Sequence, residues 1–209
     1  MKRFVLATLC ASLLLVGMIT SQSFASDGHW QILEWGSIGS SEPGQFSLPQ
    51  QIAIDDERNI YVADTGNSKI QKFTNDGEFL SSWGINGFED GELQSPVGIA
   101  IYENNVYVVD NKQHTIQKFD NDGNFIFKWG GFGTEDGKFN QPKGITIDSN
   151  GIVYVADSKN YRVQIFSSDG EFVSSFGTYG FGDGKLKVPV DIAVSGDSIY
   201  VSDSGSYKV

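Results

Sequence analysis

Four aspartates recur at one place in this chain and are its most conspicuous chemical groups. Asp64, Asp110, Asp157 and Asp203 close near-identical phrases: Tyr61-Val-Ala-Asp64, Tyr107-Val-Val-Asp110, Tyr154-Val-Ala-Asp157 and Tyr200-Val-Ser-Asp203. Carboxylates can act as general acids or bases. With the asparagines of Asp64-Thr-Gly-Asn67 and Asp157-Ser-Lys-Asn160 they also offer oxygens to calcium. One short oxygen pair per loop falls well below the crowded oxygen shell that this ion takes. An active site needs one copy of its acid, whereas a turn needs its acceptor in every repeat. The four are therefore expected to be structural turn carboxylates, accepting hydrogen bonds from the backbone N–H groups of the turn that follows.

Other chemistry is thinly provided for. His29 and His114 are the only histidines and Cys10 the only cysteine. A zinc site draws three or four ligands from such residues, and no Ser/His/Asp arrangement can be assembled with a histidine at a consistent place. No catalytic residue, metal ligand or cofactor is assigned, and no stoichiometric zinc is expected. A binding surface built from residues that do not repeat remains. After a recurring proline the chain varies as Gln50, Val97, Lys143 and Val190, followed by Gln51, Gly98, Gly144 and Asp191. The loops after the aspartates vary as Thr65 to Ser68, Asn111 to His114 and Ser158 to Tyr161. Gln50, Lys143, Asp191, His114 and Tyr161 are the candidate ligand-binding residues, against the plainer alternative of a solvated rim.

The elements that hold these residues follow from a repeat. Pro49, Pro96, Pro142 and Pro189 are separated by 47, 46 and 47 residues, and Tyr61, Tyr107, Tyr154 and Tyr200 by 46, 47 and 46. Each unit reads as four strands. Strand a follows the proline (Ile52-Ala-Ile54, Ile99-Ala-Ile101, Ile145-Thr-Ile147, Ile192-Ala-Val194), with a branched side chain on one face and a small one on the other, so that both faces can be buried. Strand b is the Tyr-Val phrase. Strand c is Ile70-Gln-Lys-Phe73, Ile116-Gln-Lys-Phe119 and Val163-Gln-Ile-Phe166, and strand d runs from Phe79 to Trp83, Phe125 to Trp129 and Phe172 to Phe176. Asp76-Gly77, Asp122-Gly123 and Asp169-Gly170 separate c from d, a hairpin signal because such turns require positive φ. A Gly-rich loop then leads to the next proline. Four antiparallel strands at this period predict an all-β propeller blade.

The first 25 residues read as a separate segment. Lys2 and Arg3 precede an uncharged, mostly apolar run from Phe4 to Ile19, and Ser23-Phe24-Ala25 supplies a small-residue cleavage pattern. This is the order of a secretory signal peptide, so the protein is expected to be secreted or held at the cell surface, with no transmembrane segment after cleavage. Cleavage removes the only cysteine, leaving stability to packing without disulfides. The chain carries a formal charge of −11 and becomes more acidic when Lys2 and Arg3 are lost. Binding to nucleic acid, which depends on cations neutralising phosphates, is not expected.

With Pro96-Val-Gly-Ile-Ala100, Tyr-Val-Ala-Asp, Ile-Gln-Lys-Phe and Trp-Gly in place, the sequence resembles the NHL-repeat family over nearly all of Trp30 to Val209. Gln51 and Asp191 depart from the glycine after proline-x, and Phe176 from the tryptophan. The resemblance implies a β-propeller whose b–c and d–a loops surround the mouth of a central channel. It usually has about six blades. Here blades over about 49–95, 96–141 and 142–188 are flanked by partial blades over 30–48 and 189–209, about three and a half in all. A truncated or fragmentary propeller is expected, or one completed by a second chain, with self-association through open blade faces. Family members include metal-dependent lyases with histidines from several blades, RNA binders with a basic face and RING-bearing proteins, and this sequence lacks the features of each. The expected function is an exported, non-enzymatic module that binds a protein, peptide or carbohydrate. The alternatives are an enzyme of the lyase or lactonase-like propeller class and a structural piece of a larger cell-surface protein.

Overall fold

The computed structural model describes residues 2–5, 24–26 and 30–209, with side chains from residue 34 onward. Most of the leader expected over residues 1–25 lies outside the described residues, as does His29. Three four-stranded sheets follow one another along the chain. The first contains β1 (Pro49–Ile54), β2 (Ile60–Asp64), β3 (Lys69–Phe73) and β4 (Phe79–Trp83). The second contains β5 (Pro96–Tyr102), β6 (Asn105–Asp110), β7 (Thr115–Asp120) and β8 (Phe125–Gly130). The third contains β9 (Pro142–Ile147), β10 (Val153–Asp157), β11 (Arg162–Phe166) and β12 (Phe172–Phe176). A two-stranded half-blade, β13 (Pro189–Ser195) with β14 (Ser198–Asp203), comes last, and Trp30–Leu33 is a strand ahead of the first blade. Every blade is a simple antiparallel meander in chain order.

Each inner strand begins at its proline, which has no N–H to give a ladder and fits a strand's first residue. The register then slips in all four units, between Pro49 and Ile52, Pro96 and Gly98, Pro142 and Ile145, and Pro189 and Asp191. Such bulges re-aim the residues they contain. The residues re-aimed here are those that vary after the proline. At the opposite end, the glycine of each Asp-Gly turn has positive φ (Gly77 86°, Gly123 88°, Gly170 77°), as the hairpin reading required.

The core lies between sheets. Pleating gives each blade a trailing face, with Ala53, Tyr61 and Lys72 in one row, and a leading face, with Ile52, Val62 and Gln71 in the next. Tyr61, Ala63 and Ile70 of the first blade pack against Ile99, Val106 and Val108 of the second. Tyr107, Val109 and Ile116 meet Ile145, Val153 and Val155 in the same way, and Tyr154, Ala156 and Val163 meet Ile192. Burial of each such large side chain contributes about 1.5–3 kcal/mol.

Two forward links accompany this packing. Lys72 lies over the Tyr61 ring (5.0 Å) and donates from Nζ to the Asn121 carbonyl of the next blade at 3.2 Å. Lys118 repeats this over Tyr107 (5.1 Å), donating to Ser168 O at 3.2 Å. At the other end of the sheet, the residue after the strand-b aspartate of each four-stranded blade donates to the next unit's proline carbonyl. These bonds are Thr65 Oγ1 to Pro96 O (2.5 Å), Asn111 Nδ2 to Pro142 O (2.8 Å) and Ser158 Oγ to Pro189 O (2.5 Å).

The faces at the two ends of the array are open, unlike those between blades. Ile99 and Ile145 are 2 % exposed, whereas Ile52 is 54 % and Ile54 60 % exposed. Tyr61 is fully buried, whereas Tyr200 is 51 % exposed. The cause is geometric, since a leading face is covered only by the blade before it and a trailing face only by the blade after it.

Candidate functional site at the channel mouth

The four bulges gather at one end of the inner strands and enclose a cavity of about 470 Å³. Gln50, Lys143 and Asp191 all line it, so three of the five candidate residues are brought together. Gln51, Asn111 and Val97 join them. Among the described residues, the Lys143 ammonium and the Gln50 amide have no hydrogen-bonded or ionic partner, and both are left to face the cavity.

The cavity's shape depends on how closely inner strands approach. A Cβ on Gly98 would collide with the Lys143 carbonyl and lie 2.8 Å from Val109 Cγ2. On Gly144 it would lie 2.6 Å from Asp191 Cα. Glycine is required there because the next inner strand's backbone occupies the space. At the equivalent position Gln51 instead extends its side chain forward. Its Oε1 accepts the Ile99 amide at 2.7 Å, and its Nε2 donates to Asp191 Oδ1 at 3.1 Å. The first and fourth inner strands are thereby joined. The lining combines amides, hydroxyls, one free ammonium and one carboxylate, with Val97 and Val190 as apolar patches. Such a surface can hold a polar ligand by several hydrogen bonds while its apolar portion covers the valines.

His114 and Tyr161 lie elsewhere. Both adopt positive φ (59° each) in the b–c loop, and each packs on the neighbouring d–a loop. The His114 ring sits 5.2 Å from that of Phe132, and its Nδ1 accepts the Gln141 amide at 2.9 Å. Burial lowers the His114 pKa, against the pull of Asp110 and Asp157. Tyr161 meets Tyr179 at 4.8 Å. Neither residue lines the cavity.

The four aspartates are buried beneath this end of the blades and reach mainly backward, to the loop before each proline. Asp64 Oδ1 accepts the Ser47 amide (2.7 Å) and Asp157 Oδ1 the Asn140 amide (2.8 Å). Asp110 accepts Gln94 (2.6 Å) and Asp203 accepts Val188 (2.7 Å). Amides of the following turn, where the sequence placed the bonds, are taken by Asp110 from Gln113 (3.0 Å) and by Asp203 from Gly205 (3.1 Å). Burial pushes the Asp203 carboxyl up, but bonds from Ser206 and the Val188, Lys187 and Gly205 amides outweigh it, so its pKa lies below the ordinary carboxylate value. Arg162 donates from Nε to Asp157 Oδ2 at 2.9 Å.

Gln71, Gln117 and Gln164 were not singled out by the sequence reading, yet all three are fully buried. Their Oε1 atoms accept the amides of Gly44, Gly91 and Gly137 at 2.9–3.0 Å. Their Nε2 atoms donate to the carbonyls of Gln45, Glu92 and Lys138. Each glutamine thus pins the Gly-rich loop that roofs its blade. The signal was a polar residue repeated at the centre of an apolar strand. Among the described residues there is no group of three or more His, Cys, Asp or Glu side chains that could hold a metal ion, and no helix long and apolar enough to cross a membrane.

Comparison with known proteins agrees with this architecture. The family profile described as NHL repeat matches residues 46–73 and 139–166. These spans run from the loop before the proline to the end of strand c in the first and third blades. Protein brain tumor of Drosophila melanogaster is 37% identical over 71 residues, 34% of this chain and 7% of that protein. NHL repeat-containing protein 3 of Homo sapiens is 38% identical over 50 residues, 23% of this chain and 14% of that protein. Among solved structures, virginiamycin B lyase from Staphylococcus aureus superposes with a TM-score of 0.58 at 17% identity, over 78% of this chain and 51% of the lyase. This chain therefore spans about half the length of the solved propeller and a small part of each of the other two relatives. The repeated proline-to-phenylalanine units, their four-stranded sheets and these likenesses agree: the chain carries NHL repeats at residues 46–73 and 139–166 and is built of four-stranded β-propeller blades.

Proposed function

We propose that this protein is an exported binding module that holds a polar segment of a protein, peptide or carbohydrate at the mouth of its channel without transforming it. The observation that carries this reading is the convergence of Gln50, Lys143 and Asp191, from three different blades, on one cavity of about 470 Å³. Residues that vary while the repeat around them holds are where a shared fold acquires its particular use. A lyase-like activity has less support. The one histidine among the described residues, His114, gives its Nδ1 to a backbone amide and stands outside the cavity.

Export is part of the proposal and rests on the leader-like order of residues 1–25. N-terminal sequencing of the protein recovered outside the cytoplasm should begin near Ser26, and an intact Met1 on membrane-bound material would contradict it. For ligand binding, arrays of peptides and glycans followed by calorimetry form the test. A bound ligand should lose at least tenfold in affinity with Lys143→Ala and with Asp191→Ala, and little with Tyr161→Ala. Equal losses at all three would move the site away from the channel mouth. Turnover of the bound ligand would replace the binding-module reading with an enzymatic one.

A further inference from the structure

His114 and Tyr161, which stand outside the cavity, take one place in the repeat and are furnished alike. Each lies two residues after an exposed lysine, Lys112 or Lys159. Each packs on an aromatic residue of the d–a loop, Phe132 or Tyr179, three places after Trp129 or Phe176. The two ring pairs have the same tilt, 58° between planes, at centroid distances of 5.2 and 4.8 Å. The fold needs neither the rings nor the lysines. The first blade makes the same turn with Gly66 and Ser68 (φ 55°), and Asn86 stands at the matching place after Trp83. Phe132 is 71 % and Tyr179 63 % exposed. The Phe132 loop runs between two complete four-stranded blades, so its exposure belongs to the loop itself. Among the described residues, the Lys112 and Lys159 ammonium groups have no hydrogen-bonded or ionic partner.

The loops that carry these groups are charged unlike the rest of the chain. Residues 111–114, 131–141, 158–162 and 177–188 hold six lysines and arginines against three aspartates and glutamates, in a chain of formal charge −11. Of the three, Asp136 is paired with Arg162 (3.3 Å), and Glu135 accepts the Thr134 amide (3.1 Å). The buried Asp110 and Asp157 beneath these loops are occupied by backbone amides. Glu103, Asp122, Asp148 and Asp169 stand in turns at the opposite ends of the strands. A strand of five residues spans about 17 Å, beyond the Debye length of about 8 Å at physiological salt, so those charges are screened from this face.

An aromatic face is negative and attracts the slightly positive C–H groups of a flat partner. A sugar ring offers such groups, and a uronic acid adds a carboxylate for a lysine. We infer that the second and third blades carry two equivalent subsites for an acidic polysaccharide. One sugar ring lies on Phe132 and another on Tyr179, with Lys112 and Lys159 pairing with their carboxylates. Two subsites on adjacent blades suit a polymer, because filling the first raises the effective concentration at the second. These residues are absent from the channel-mouth lining, so either reading can fail without the other.

Calorimetry of the full chain with an oligogalacturonate tests the inference, with a neutral oligoglucose and poly-glutamate of equal length as controls. The oligogalacturonate should bind at least about tenfold tighter than either control and than galacturonic acid alone. Phe132→Ala and Tyr179→Ala should each lower affinity about tenfold, while Phe132→Tyr keeps it. Lys112→Gln should lower affinity and flatten its salt dependence. Lys143→Ala should leave it unchanged. The substituted side chains are exposed, so an unaltered thermal midpoint should show each variant folded. Absence of oligogalacturonate binding, equal binding of either control, or an equal loss with Lys143→Ala would overturn the inference. So would preference for a single-stranded polyribonucleotide.

Discussion

Gln51 and Asp191 take the same place in the repeat, 140 residues apart, and meet through a bond of 3.1 Å from Nε2 to Oδ1. Two departures from the repeat's glycine thus complete one another. The Asp191 carboxylate also contributes one of the two charges of the cavity lining. Asp191→Ala is expected to weaken ligand binding about tenfold, a change of about 1.4 kcal/mol. Stability should move by no more than about 0.5 kcal/mol, as for other exposed sites. Calorimetry with a bound ligand and urea titration of the free protein check the two arms.

Asp157 should behave in the opposite manner. It is fully buried and accepts bonds from the Asn140 amide, Asn160, Gln164 and Arg162. Asp157→Ala leaves the guanidinium without its buried partner and two side-chain amides with lost acceptors. Breaking a buried pair from one side costs about 3–5 kcal/mol. The urea midpoint should fall accordingly, and a loss below about 1 kcal/mol would mean that this carboxylate does not anchor the loop.

The fold was legible for a definite reason. A blade repeats, so the alternation of Ile52, Ala53 and Ile54 could be checked against three further copies, and each Asp-Gly turn fixed a hairpin. The candidate site was legible in part. Gln50 and Lys143 lie within a bulge and Asp191 at the end of one, all three line one cavity, and their variation after a constant proline exposed them. His114 and Tyr161 vary in sequence too, but positive φ turns them toward Phe132 and Tyr179, and the sequence states no φ for a non-glycine residue. Gln71 escaped notice because a strand's period tells which face a residue takes, and not which loop will cross above it.

The pH dependence of stability carries a signature of His114. Its folded pKa lies below the ordinary value of about 6.5. Between those two values the unfolded chain binds more protons, so stability rises with pH. The contribution is fully present above about pH 6.5 and is lost as pH falls through the folded pKa. His114→Asn can keep an acceptor for the Gln141 amide and tolerates positive φ. It should flatten the unfolding free energy between about pH 5 and pH 7. An unchanged slope would assign it to other groups.

Gly98→Ala tests the close approach of inner strands. The new methyl would meet the Lys143 carbonyl and Val109. Overpacking of this kind costs about 1–3 kcal/mol. Because Lys143 moves with its backbone, ligand affinity should fall together with the thermal midpoint. Gly137→Ala serves as a comparison, since nothing lies within 4 Å of its Cβ and only the positive φ of 80° opposes it.

The forward links give the array a direction in time. Thr65, Asn111 and Ser158 find their carbonyl acceptors, and Lys72 and Lys118 theirs, only on the blade made after their own. During synthesis from the N-terminus, a finished sheet therefore waits with unspent donors until about one repeat more has emerged. Stability accrues by nearest-neighbour steps in such arrays. Each newly folded unit thus tightens the one before it, and order advances along the nascent chain as a front moving in the direction of translation.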